Sequence, residues 1–272
     1  MTTPLPTLTN RQRLARLDKM IAEKRILRDE WFSTSRRGIE RACLLAALSP
    51  EVAHGGGVHG PSKCPADLMP RWFAEITPEL DDRISKNWWP EFLRMYAKTL
   101  RRVHRLTEKK LWTQDDWRRQ DHLARAWALT NLVQEEHKPG IVTTAAAASV
   151  IRKVIAYHQR VATRRGIKTS VLESERKYLR RLASKFITQH GGEWPRTTCG
   201  DVVAAKLSID ALKSNHLGHV MWQIGCYFHD HNLSQQAAQD VSQQAAQDAW
   251  DNLAKSILGA MNKRCEELEK KS

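Results

Sequence analysis

Pro90-Glu-Phe-Leu-Arg-Met-Tyr-Ala-Lys-Thr-Leu-Arg-Arg-Val-His-Arg-Leu-Thr-Glu-Lys109 is the stretch that decides the fold class. Phe92, Leu93, Tyr96, Leu100, Val103 and Leu106 recur every three or four residues, the spacing that gathers side chains on one face of a helix. Pro90 stands in the first turn, where a missing N–H leaves nothing unsatisfied. The other side carries Arg94, Lys98, Arg101, Arg102, Arg105 and Lys109, with Glu108 as the one acidic residue among them.

The same period continues on both sides of that helix, and strand-like alternation is nearly absent. Thr9 or Asn10 is placed to cap a helix carrying Leu14, Leu17, Ile21 and Trp31, and a second holds Ile39, Cys43, Leu44 and Leu48. Thr113-Gln-Asp-Asp116 gives a later helix an acidic first turn, suited to the positive end of the helix dipole. It runs to Lys138-Pro-Gly140. A helix from Thr143 or Thr144 follows, with Val150, Ile151, Val154, His158 and Val161 in its apolar stripe. Ser170 and Glu173 have the spacing of a capping box, and Leu172, Leu179, Leu182 and Phe186 mark the buried side behind them. His190-Gly-Gly192 ends that helix. The expected fold is all-α and multi-helix, arranged as two packed helical domains or as one elongated helical domain. The expected division is 1–139, with a Gly/Pro-rich loop at 50–66, and 140–272, with the basic helices and a short repeat at 234–248. In that repeat Ser-Gln-Gln-Ala-Ala-Gln-Asp recurs after eight residues. Eight residues turn a helix by about 800°, so the copies do not share a face and no solenoid is implied.

With 272 residues, 41% apolar and 27% charged, the chain is long and mixed enough to bury a core. Ten Trp residues against five Phe read as packing material for that core. Five dispersed Cys without a C-x-x-C pair are not a disulfide framework and suit a reducing cytoplasm. No run of about eighteen apolar residues exists, and the start Met1-Thr-Thr-Pro has no export pattern. A cytoplasmic protein with no membrane partner is the expectation.

The net charge is +14, and residues 151–200 hold twelve Lys and Arg against three Asp and Glu. Besides the 94–109 face, Lys153, Arg160 and Arg164 align on the helix before 170, with Arg152 and Arg165 beside them. Arg176, Lys177, Arg180, Arg181 and Lys185 form a double row on the helix after it. Like charges at i,i+4 are destabilising by a few tenths of a kcal/mol, so three such faces imply a compensating anion. Phosphate backbones are the commonest such anion, which makes nucleic acid, DNA or RNA, the expected partner. An acidic protein partner, with Trp and Arg as interface anchors, is the alternative.

Signals for catalysis are sparse. His54, His59 and Cys64 stand five residues apart in the Gly-rich loop, and His216, His219, Cys226, His229 and His231 cluster later. Neither follows a usual zinc-ligand rhythm, and the expectation is no metal and no cofactor. Arg152-Lys-Val-Ile-Ala-Tyr-His158 resembles the R-x4–6-H motif of the HEPN family of helical RNases. Those seven residues would imply Arg152 and His158 as a catalytic pair. Against this stands the position of His158 on an apolar stripe, where a core histidine belongs. A helical RNase or a metal-dependent enzyme is therefore the third reading, and the chain is not assigned to a family.

Overall fold

Thr9 opens the first helix, α1 (Asn10–Ala22), by a reciprocal cap: the Gln12 N–H donates to its hydroxyl and its own N–H donates to the Gln12 side chain. In this computed structural model the described residues are 8–28, 30–54, 61–130, 133, 145–163, 168–190, 199–213 and 239–272. The further helices are α2 (Leu44–Leu48), α3 (Pro50–His54), α4 (Arg71–Arg83), α5 (Trp89–Glu108) and α6 (Gln114–Thr130). Then come α7 (Ala145–Thr163), α8 (Thr169–His190), α9 (Cys199–Ala211) and α10 (Gln239–Glu269). With one small hairpin, β1 (Phe32–Thr34) and β2 (Glu40–Ala42), this is an all-α, multi-helix fold.

Two helices expected near the N-terminus are shorter than their apolar residues suggested. α1 stops at Ala22, and Lys24 follows with φ at 54°, a left-handed turn that no helix continues through. Trp31 therefore lies outside it, its carbonyl accepting from the Cys43 N–H at 3.0 Å. Ile39 belongs to the hairpin turn, where Gly38 supplies a φ of 73° and the Ser35 N–H donates to the Ile39 carbonyl. Cys43 is instead the N-cap of α2, all five residues of which are buried.

The chain divides into two compact units, one of residues 1–117 with 250–272, the other of residues 118–249. This differs from a division at 139, because local stop signals mark where helices end and not which helices pack together. The first unit is built around an aromatic stack. Phe73 lies nearly parallel to Tyr96, ring centres 5.7 Å apart, and Trp117 closes on both Phe73 and Trp112. The Tyr96 and Thr77 hydroxyls share a hydrogen bond of 2.9 Å. All six stripe residues of α5 are buried. Trp72, Trp112, Trp117 and Trp250 are buried or half-buried, and no described Trp is exposed. That accords with Trp as core material and leaves none of the described ones as an exposed interface anchor.

In the second unit α7, α8 and α9 pack together around Ala147, Val150, Ala183, Phe186 and Ala205, flanked by Leu182, Ile187 and Ile209. Three alanines at the contact let the helices approach closely. α8 begins at Thr169, two residues earlier than a Ser170 cap allows, with the Lys168 carbonyl accepting from Val171 and Leu172. It ends at His190, as its Gly-Gly stop predicts. The second copy of the tandem repeat lies within α10, while residues 234–238 fall outside the described residues. No helix among the described residues is long and apolar enough to cross a membrane.

Candidate functional site

The three basic faces differ in how much of their charge remains available. On α5, Arg94 and Lys98 are exposed and have no carboxylate partner among the described residues. The other three arginines of that face are occupied within their own unit. Arg101 reaches Asp18 of α1. Arg102 donates to Glu269 at 2.6 Å and to Asn262 at 3.2 Å, with Glu266 at 3.5 Å, and Arg105 donates to the same Glu269. Hydrogen bonds from Arg102, then Arg105, hold the Glu269 carboxyl below its ordinary range. Along the helix the face is purely basic, but α1 and α10 balance much of it.

On α7, Lys153 and Arg152 are exposed, while Arg160 pairs with Glu175 of α8. Arg164 and Arg165 lie outside the described residues. On α8, Lys177, Arg180, Arg181 and Lys185 are all exposed, and none makes an ion pair among the described residues. Leu179, Ala183 and Phe186 turn the opposite side into the core, which fixes the basic row outward. Tyr178, 56% exposed, stands within that row. Arg176 departs from it: half-buried, it turns toward a cleft.

That cleft, about 290 Å³, is walled by α6, α7, the first turns of α8 and the end of α9. At its base the Nδ1 atoms of His122 and His158 lie 2.8 Å apart, a contact that needs one proton shared between them. One ring therefore donates from Nδ1 and keeps a bare Nε2, while the other carries its proton on Nε2. Burial, then Arg125 and Arg118, pushes His122 down to about 3. Burial is also the first cause for His158, followed by His122 and Arg125, and its pKa falls well below the ordinary value with only the Ala211 backbone opposing. Both rings are neutral at pH 7. His158 Nε2 is enclosed, with the Ala211 backbone as its neighbour. Arg125, 1% exposed, is anchored by Asp121 at 2.8 Å and donates to the carbonyls of Ala211 and Lys213. It thereby satisfies the C-terminal end of α9.

Arg152 and His158 are not brought together. Six residues turn a helix by about 600°, which leaves them roughly 120° apart, and Arg152 is exposed where His158 is buried. The residue that meets His158 is His122, thirty-six positions away and on another helix. Nothing in the spacing of either helix announces that pairing. The apolar stripe of α7 does place His158 inside, and this much was readable.

Of the loop cluster, His59 and the His54 side chain lie outside the described residues, as do His216, His219, Cys226, His229 and His231. Among the described residues no group of three His, Cys, Asp or Glu is arranged to hold a metal. Burial raises the thiols of Cys43, Cys64 and Cys265 to about 12, far from reactive thiolates. No protein-family model matches the chain, and neither a curated protein nor a solved structure matches it.

Proposed function

We propose that this protein binds nucleic acid through phosphate contacts made by the outer row of α8, Lys177, Arg180, Arg181 and Lys185. Lys153 and Arg152 of α7 extend that charge, and Arg94 and Lys98 of α5 form a lesser patch. One observation carries the reading: these four α8 side chains are exposed without a balancing carboxylate among the described residues, while Arg102 and Arg105 of α5 and Arg160 of α7 have one. A helix that retains an unbalanced row is suited to a polyanion, and Arg or Lys contacts to phosphate need no base sequence.

Titration of labelled single- and double-stranded DNA and RNA at several salt concentrations tests it. Four phosphate contacts give log K against log salt a slope of about −3.6 on duplex and about −2.8 on single strands. Affinity that is immeasurable at low salt, or that does not change with salt, refutes the reading.

A further inference from the structure

The outer face of α8 is not purely cationic, and its apolar positions select among nucleic acids. Of the three large apolar side chains exposed among the described residues, two stand on this helix: Val171, 55% exposed, and Tyr178, 56%. Tyr178 is the exposed ring among the described Phe, Tyr and Trp residues. Seven residues return a helix to within about 20° of one direction, so Val171, Tyr178 and Lys185 form a single stripe. Arg181 lies about 60° to one side of Tyr178 and one turn beyond it, and Lys177 about 100° to that same side. The acids of the helix are placed elsewhere. Glu175 is half-buried and paired with Arg160, and Glu173 stands about 140° round from Tyr178. Leu179, Ala183 and Phe186 close the core on the other side, which leaves the tyrosine ring in water among cations.

We propose that the ligand of this face is a single strand, with one base stacked on Tyr178 and the flanking phosphates held by Lys177, Arg181 and Lys185. This rests on the reading of α8 as a nucleic-acid surface and adds the form of the nucleic acid. In a duplex the bases cover one another's faces, so a tyrosine ring meets only edges and backbone. A single strand presents base faces and phosphates in alternation, and every base has a face that suits the ring, so no sequence is required. Val171, about 10 Å along the axis from Tyr178, offers a further base an apolar surface. Charge alone favours the opposite choice, because a duplex carries its phosphates more densely. A preference for single strands is therefore the signature of the ring.

The test is anisotropy titration of the full chain with one short labelled strand of mixed sequence, as DNA and as RNA, alone and annealed to its complement. The expected result is that Tyr178→Ala weakens single-strand binding about fivefold or more, the loss of one stacked base, and leaves duplex binding unchanged. The salt slope stays as in the parent, because no charge is removed. Tyr178→Phe keeps the affinity; Tyr178→Leu, apolar but without a ring, loses it and replaces the alanine variant if circular dichroism shows that one unfolded. Full single-strand affinity in the ring-less variant for both DNA and RNA, or an equal loss on the duplex, overturns the stacking. In that event a loss of affinity in Arg180→Glu with Arg181→Glu still upholds phosphate binding by α8. Absence of binding to every form at low salt refutes both.

Discussion

Asp116 Oδ1 accepts from Arg264 Nε at 2.7 Å, a pair 7% and 10% exposed that joins positions 148 residues apart. The other oxygen of the same carboxylate accepts from the N–H and the hydroxyl of Thr113, both at 2.9 Å. One side chain thus fixes the start of α6 and holds α10 within the first unit. Removing it takes the enclosed anion from a guanidinium that keeps only the more exposed Glu267 at 3.0 Å, so Asp116→Ala should lose about 3 kcal/mol of stability. Replacing both partners, as Asp116→Leu with Arg264→Met, should lose less than the single change. Urea unfolding of the two variants decides between an indispensable charge pair and a shape that apolar groups can fill.

Asp81 gives stability a distinct dependence on pH. It is buried, accepts from the Leu44 N–H at 2.9 Å and from the Trp89 indole at 3.1 Å, and burial lifts its pKa to about 7. Between about 4 and about 7 the folded state therefore holds a proton that the unfolded chain has released. The Asp81 contribution to stability falls as pH rises through that window and is level above it. Asp81→Asn should remove this slope. Denaturant midpoints measured from pH 4 to pH 8 in both proteins test the sign.

The histidine pair has the opposite sign. Its rings are kept neutral in the folded protein, whereas in an unfolded chain they protonate near 6.5. The stability they confer is complete above about 6.5 and is lost as pH falls toward about 3. In proton-detected titrations the Cε1–H signals of His122 and His158 should stay still from pH 8 to pH 5. A midpoint near 6 for either ring means that the pair is not enclosed as described.

On α8, Arg180→Glu together with Arg181→Glu should reduce polyanion affinity across all sequences. The salt slope should shrink by about 2, one unit for each lost contact. Exposed substitutions usually stay within ~0.5 kcal/mol, so the thermal midpoint should barely move. Unfolding of this variant signifies a structural role for the row; unchanged affinity moves the interface elsewhere.

On α5 the two kinds of basic residue should separate. Arg102→Ala, which loses contacts to Glu269 and Asn262, should lower stability by about 1 kcal/mol and leave polyanion binding intact. Lys98→Ala should leave stability unchanged and weaken polyanion binding only slightly. Parallel thermal melts and binding titrations give the comparison.

What could be read from the chain follows from how far each cause acts along it. The buried side of α5 was legible because six apolar residues at helical spacing are a local fact. Three-residue strands carry too few alternations to be seen, so Glu40–Ala42 was absorbed into a helix and Phe32–Thr34 was not marked. The outward row of α8 was legible for the same reason as its core side. The neutralisation of Arg101, Arg102 and Arg105 was not, because Asp18 and Glu269 come from helices remote in sequence. His122 carried no signal at all: its importance lies in a partner on another helix and in walls contributed by two more.

The first unit is discontinuous in the chain, and this bears on how the protein is made. Synthesis runs from one end, and domains generally fold as they emerge. Residues 118–249 leave the ribosome whole, ready to collapse on themselves. By then residues 1–117 have been waiting, with Ser85 lacking the Asp251 carboxylate that it donates to at 2.6 Å, and Asp116 lacking its arginine. Leu253, Ile257, Leu258 and Met261, all buried, are translated only after that second unit. Of the two units, the one begun first is finished second, and until residues 250–272 arrive its apolar surface is in the care of whatever the cell provides to guard nascent chains.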